Sequence, residues 1–215
     1  SRFCFPDHAS SHVACSDISF FPGNSPFDLL HCRFRSTNES ASLRHVLYSF
    51  GTASLYQLGF VAESASQPRP KALDRLMNED VVDFALCEIG GAAVTRSGGC
   101  FVWGVNKNGR LGVGDEASRI RPEMVPLAIS STRTCVSVAV SLTHSVFLMS
   151  TGEVFTAGKG YLGHEGAGRS QQLSLIPRRV EKGLKKVKVV RISCSKFRTC
   201  FVTDTGEALL LGYHM

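Results

Sequence analysis

No stretch of this sequence is long and apolar enough to cross a bilayer as a helix. The longest uncharged run, 134–152, is broken by Ser, Thr and His where about 18 apolar residues are needed. Cysteine pairs are missing as well. Eight cysteines are present (Cys4, Cys15, Cys32, Cys87, Cys100, Cys135, Cys194 and Cys200), yet none stands in a C-x-x-C pair. A zinc site or disulfide framework is therefore not expected, and a reducing compartment, cytoplasmic or nuclear, is. Tryptophan occurs once. The sequence holds no G-x-S-x-G elbow, no H-E-x-x-H and no paired-carboxylate motif. It is accordingly expected to be no enzyme, with no catalytic residues, cofactor, metal or small-molecule substrate. What it does have is 43% hydrophobic residues with 20% charged, an ordinary globular composition with material for a core. The chain opens on Ser1 with no basic start leading into an apolar stretch, and is expected to be a piece of something longer.

A repeat organises what is present. Four apolar stretches end in glycine, at Gly51, Gly104, Gly158 and Gly212, spaced 53, 54 and 54 residues apart. Six residues before the last three stand Gly98, Gly152 and Gly206, in connections such as Ser150-Thr151-Gly152-Glu153. These read as hairpin turns, because glycine supplies the positive φ that such turns need. Upstream lie Ala92–Thr95, Val146–Met149 and Cys200–Thr203, and before those Val81–Ala85, Cys135–Ala139 and Val189–Ser193. Each copy thus predicts three short strands in a row. Prolines follow at Pro68 and Pro70, Pro122 and Pro126, and Pro177, where a fourth, edge-like strand is expected to start or end. About 54 residues holding three or four antiparallel strands match a propeller blade in size and content.

The segment Val102-Trp103-Gly104-Val105-Asn106-Lys107-Asn108-Gly109-Arg110-Leu111-Gly112-Val113-Gly114 resembles the signature of the regulator of chromosome condensation repeat, roughly W-G-x-N-x-x-G-Q-L-G-x-G. Thr143-His144-Ser145-Val146-Phe147-Leu148 with Gly152-Glu153-Val154-Phe155 is similar to the same repeat's H-S-x-A-L-x-x-x-G-x-V-Y stretch. This copy of the pattern departs from it in places. Arg110 replaces Gln, and Gly90 and Arg198 stand where His144 stands in its own copy. The resemblance implies an all-β fold: a partial β-propeller of the seven-bladed type, with about three to four antiparallel blades in this chain. Three repeats are expected at about 48–103, 104–157 and 158–215, after a degenerate N-terminal segment, 1–47, that reads as the outer half of a preceding blade. Seven such units need some 380 residues by repeat arithmetic, so the chain cannot close the ring, and it is expected to self-associate through exposed edges.

By the same resemblance the expected function is a protein-interaction module that regulates a small GTPase, as a guanine nucleotide exchange factor or docked on chromatin. The alternative it implies is a non-catalytic scaffold within a larger protein such as a ubiquitin ligase or kinase. Charge suggests where a partner binds. Residues 159–215 carry eleven Lys or Arg against four acids, so this copy holds +7 and the rest of the chain −1. Arg178, Arg179, Lys182, Lys185, Lys186 and Lys188 crowd one connection, a basic patch expected to meet a protein or the phosphates of nucleic acid or chromatin. Trp103 is expected between blades, and His144 is expected to bond neighbouring blade backbone.

Three short motifs compete with this reading. Gly158-Lys159-Gly160-Tyr161-Leu162-Gly163 matches the dinucleotide fingerprint G-x-G-x-x-G, but the glycine-rich residues after it do not suit the helix that a pyrophosphate requires. Phe3-Cys4-Phe5-Pro6-Asp7 resembles the opening of DENN domains, which implies a Rab exchange factor as a further alternative. Asn38-Glu39-Ser40 fits the glycosylation pattern, which carries weight only in a secreted chain.

Overall fold

A computed structural model describes residues 15–21, 27–34, 44–160, 162 and 172–212 of the chain. The DENN-like opening, the Asn38 triplet and most of the loop after Gly160 lie outside the described residues. Those described form fifteen β-strands and two single-turn 3-10 segments, with no α-helix among them.

The strands fall into four antiparallel sheets, each a simple meander. The first holds β1 (Cys15–Phe21), β2 (Phe27–Phe34), β3 (Arg44–Thr52) and β4 (Ser66–Ala72). The second holds β5 (Val81–Cys87), β6 (Gly90–Thr95), β7 (Cys100–Gly104) and β8 (Arg119–Met124). The third holds β9 (Cys135–Val140), β10 (His144–Met149), β11 (Val154–Gly160) and β12 (Gln172–Arg179). The fourth holds β13 (Val189–Cys194), β14 (Arg198–Thr203) and β15 (Ala208–Gly212). Four consecutive meanders packed face to face are propeller blades. Strands β5, β9 and β13, the first of their sheets, each pack against the preceding sheet, and β5 meets β9 as β9 meets β13 along the inner wall. Strands β1 and β2 pair on to β3 in the same sheet as β4. The N-terminal strands, expected as the outer half of a preceding blade, are thus the inner half of this one, because a blade's fourth strand comes after its closing glycine.

Each closing glycine ends or nearly ends the third strand of its blade. Gly104, Gly158 and Gly212 sit opposite Gly90, His144 and Arg198, the first residues of the second strands. The amides just beyond the glycines explain why nothing larger fits. Val105 N–H donates to Ile89 O and Lys159 N–H to Thr143 O, both at 2.9 Å, and this draws the two strands together. A Cβ on Gly104 would lie 2.2 Å from Ile89 O, one on Gly158 2.4 Å from Thr143 O, and one on Gly212 2.3 Å from Phe197 O. Side chains are excluded there by backbone, which cannot step aside.

The fourth strand of each complete blade carries a bulge opposite the closing glycine. Pairing jumps from Ser49↔Lys71 to Gly51↔Gln67, from Val102↔Glu123 to Gly104↔Arg119, and from Thr156↔Arg178 to Gly158↔Ser174. Two extra residues enter each time, and Pro68 and Pro70, Pro122 and Pro177 lie in these intervals. Proline lacks the N–H that a ladder requires, so an irregular edge strand is where it can be held.

Cores form between blades. Trp103, Phe101, Ala93, Leu47, Leu73, Leu76 and Val81 join the first blade to the second. Phe147, Met149, Val138 and Cys135 meet Val94, Val102, Ala92 and Cys100 between the second and third. Val146, Leu148 and Val154 meet Phe201, Val189 and Leu184 between the third and fourth. Alternation along β10 makes this possible: Phe147 and Met149 face one neighbour, while Val146 and Leu148 face the other.

Candidate interaction surface

Polar joints fix how each blade meets the next, and with that the two rims a partner could touch. At one rim the turn between the second and third strands holds Gly98 or Gly152. Cys135 N–H donates to Gly98 O at 3.2 Å, and Val189 N–H donates to Gly152 O at 3.1 Å. The space that a side chain would fill on these glycines is taken by the following blade: Thr134 would lie 2.4 Å from a Cβ on Gly98, and Lys188 2.4 Å from one on Gly152. Gly206 holds the matching turn of the fourth blade, with a φ of 87°.

The basic residues belong to this rim. Arg178 and Arg179 end β12, Lys188 stands directly before β13, and Lys182, Lys185 and Lys186 lie on the connection between them. All six are exposed. The neighbouring acids are already engaged by cations: Glu153 pairs with Arg179 at 2.9 Å and with Arg133 at 3.0 Å, and Glu181 lies 3.6 Å from Lys185. Val180 and Leu184, both buried, anchor the connection on the core between the last two blades. The cations therefore stand on a fixed strap and leave a net positive field over the rim.

The other rim holds the connections between first and second strands and the loops that follow the closing glycines. His144 spans a blade joint here, buried at 4% exposure. Its Nε2 lies 2.8 Å from the Thr199 hydroxyl on the fourth blade, and its Nδ1 lies 3.0 Å from the Ser141 hydroxyl and 3.2 Å from that of Thr143. The partners are side-chain hydroxyls rather than the backbone groups expected. Burial pushes the imidazole down to a pKa of about 4 and keeps it neutral. Trp103, fully buried, donates its indole N–H to Gln57 O at 2.8 Å and so ties the second blade to the first.

In the loop after Gly104, Asn106 accepts from Leu111 N–H at 2.8 Å and donates to Asp115 O at 2.8 Å. Asp115 is exposed, and its hydrogen bonds to Arg119 hold its carboxyl below the usual carboxylate range. Arg119, the first residue of β8, thereby fastens the end of the loop to that strand and also pairs with Glu123 within it. Arg110, inside this loop, points inward and has no exposed surface. Its Nε donates to Val105 O at 2.6 Å and its Nη1 to Ser141 O at 2.8 Å, across to the third blade. Cys87 donates its thiol to the same Ser141 O at 3.6 Å. Nearby, burial pushes the Cys194 thiol up to about 12, and at the opposite rim it also raises that of Cys100. This cluster of Arg110, Cys87 and Ser141 was not anticipated, although Arg110 in place of Gln was the visible sign. Among the described residues no group of His, Cys, Asp and Glu could hold a metal ion, and no helix is long and apolar enough to cross a membrane.

Comparison with known proteins gives one family. The model of the regulator of chromosome condensation (RCC1) repeat matches residues 97–148. Over 172 residues, 77% of this chain, the sequence is 34% identical to the human probable E3 ubiquitin-protein ligase HERC3. The chain spans only 15% of that protein's length. Two solved structures share the fold. Yeast RCC1 (Prp20), solved with Kap60 bound, superposes with a TM-score of 0.66 at 19% identity, covering 94% of this chain and 44% of that one. Prp20p from Saccharomyces cerevisiae, described with its binding properties to Gsp1p and histones, superposes with a TM-score of 0.58 at 18% identity over 86% of this chain and 42% of that one.

Proposed function

Because the chain belongs to the regulator of chromosome condensation repeat family, we propose that it is a non-catalytic protein-interaction module whose basic rim docks the acidic surface of a small GTPase. One observation carries this reading. Arg178, Arg179, Lys182, Lys186 and Lys188 are exposed on a strap that the buried Val180 and Leu184 hold in place, while Glu153 is occupied by Arg133 and Arg179. A fixed positive field steers an acidic partner and sets its orientation more than it sets raw affinity. Prp20p, which shares the fold, is described with its binding properties to Gsp1p and histones, which supports a protein partner for such a propeller.

A second reading has its own support. The 34% identity to HERC3 lies within a small part of a long ligase, which suits blades acting as a non-catalytic scaffold of a larger protein. Binding and labelled-GDP release measured side by side on Ran-class and Rab-class GTPases separate the two. Binding that accelerates GDP release supports regulation by nucleotide exchange. Binding to neither class, with a ligase or chromatin partner recovered instead, supports the scaffold. The DENN-linked alternative predicts release from Rab-class proteins alone.

A further inference from the structure

The joint between the second and third blades differs chemically from the joint after it. In the third blade Ser141 and His144 face each other across a tight connection, the hydroxyl 3.0 Å from Nδ1. The positions that match them in the second blade, 54 residues earlier, are Cys87 and Gly90, which pair across the β5–β6 hairpin. Glycine leaves the imidazole's volume vacant, and Arg110 fills it: its Nη2 stands 2.6 Å from where a Cβ on Gly90 would be. A serine and histidine are thus exchanged for a thiol and guanidinium.

That guanidinium is short of partners. Arg110 is fully buried with no carboxylate bonded to it, and its Nη2 has no hydrogen-bond partner among the described residues. A buried cation without a counter-charge carries a desolvation penalty. Two thiols, Cys87 and Cys194, are near enough to interact with the guanidinium, and Cys87 is the one that also shares Ser141 O with Nη1. Cys87 is half-buried.

We propose that Cys87 is a site of oxidative modification by hydroperoxides, with Arg110 as the residue that positions and stabilises the negatively charged sulfur species. In the first step the sulfur attacks one oxygen of hydrogen peroxide and the O–O bond breaks. The departing hydroxide takes up the proton that the thiol released and leaves as water. The sulfur loses two electrons to become sulfenic acid, and the peroxide gains them. The negative charge that sulfur carries once its proton is released, before it attacks, and the oxygen it then acquires both meet the unused Nη2 donor. Further oxidation to sulfinate would place a full anion there.

Competitive trapping tests this on the full chain. Native protein is treated with hydrogen peroxide in the presence of dimedone, which captures sulfenic acids, and adducts are quantified by peptide mass spectrometry. Cys200, also half-buried, is the internal reference. Cys87 is expected to be captured about tenfold faster than Cys200, as cysteines beside fixed cations are selectively oxidised. Arg110→Gln, which installs the residue that Gln57 already provides in the first blade, is expected to erase that excess while Cys200 is unchanged. Capture of Cys87 no faster than Cys200, or a Cys87 rate unaffected by Arg110→Gln, overturns the proposal. Should Arg110→Gln not fold, the ratio in the unaltered protein decides by itself.

Discussion

At the scale of single residues, two glycines with similar torsions part company in what surrounds them. Gly104 has a φ of 104° and a neighbour carbonyl 2.2 Å from the Cβ position, whereas Gly206 has a φ of 87° and nothing within 4 Å. Alanine at 206 meets only the cost of the left-handed backbone, about 1 kcal/mol. Alanine at 104 must also force two hydrogen-bonded strands apart, and is expected to cost about 3 kcal/mol or more. Urea melts of the two variants check the order, and equal losses would show that torsion alone governs the position. His144 makes a pH-dependent contribution. Its folded pKa of about 4 lies below the ordinary imidazole value of 6.5, so the unfolded chain takes up the proton first as pH falls. Stability is full above about pH 6.5 and is lost progressively down to pH 4, by up to about 3 kcal/mol. Thermal melts across that window should flatten in His144→Gln.

At the scale of elements, the blade faces explain why the chain folds as coupled sheets. Phe147 is fully buried in the core shared by the second and third blades, and Phe147→Ala is expected to cost about 3 to 5 kcal/mol. Because both blades lose contacts, hydrogen exchange should rise together in β7 and β9, and a rise confined to the third blade would contradict the shared core. Much of this layout was legible in the sequence. The three strands before each closing glycine carry period-two patterning and a glycine turn between them, and glycine marks backbone approaches that no other residue permits. The fourth strands were visible only as prolines, since a bulged edge has no regular alternation to read. β1 and β2 fell to the wrong blade because their sequence lacks the turn glycine that sets the phase of the later copies. The Arg110 cluster was illegible for a different reason: its members come from three connections far apart in sequence, and only closure of the joint brings Cys87 and Arg110 to one carbonyl.

For the molecule as a whole, charge and architecture lead to separate tests. Replacing Arg178, Lys182, Lys186 and Lys188 together by Glu leaves the buried strap anchors in place and reverses the rim's field. Association with an acidic partner should slow by about tenfold or more at low salt, with dissociation affected far less. A loss that persists unchanged at high salt would mean that the rim makes no electrostatic contact. The central claim concerns the period: each unit of about 54 residues is one sheet, entered and left at the same corners. Residue-resolved amide hydrogen exchange on the native chain tests it most directly. Protection should recur in register, strong at Phe101–Trp103 and Phe155–Ala157, alternating along the edge strand Leu209–Leu211, and weak at the turn-tip amides of Ser97, Thr151 and Thr205. Protection that ignores this register, with slow amides at the turns and fast ones in the strands before Gly104 and Gly158, would contradict the repeat as the unit of the fold.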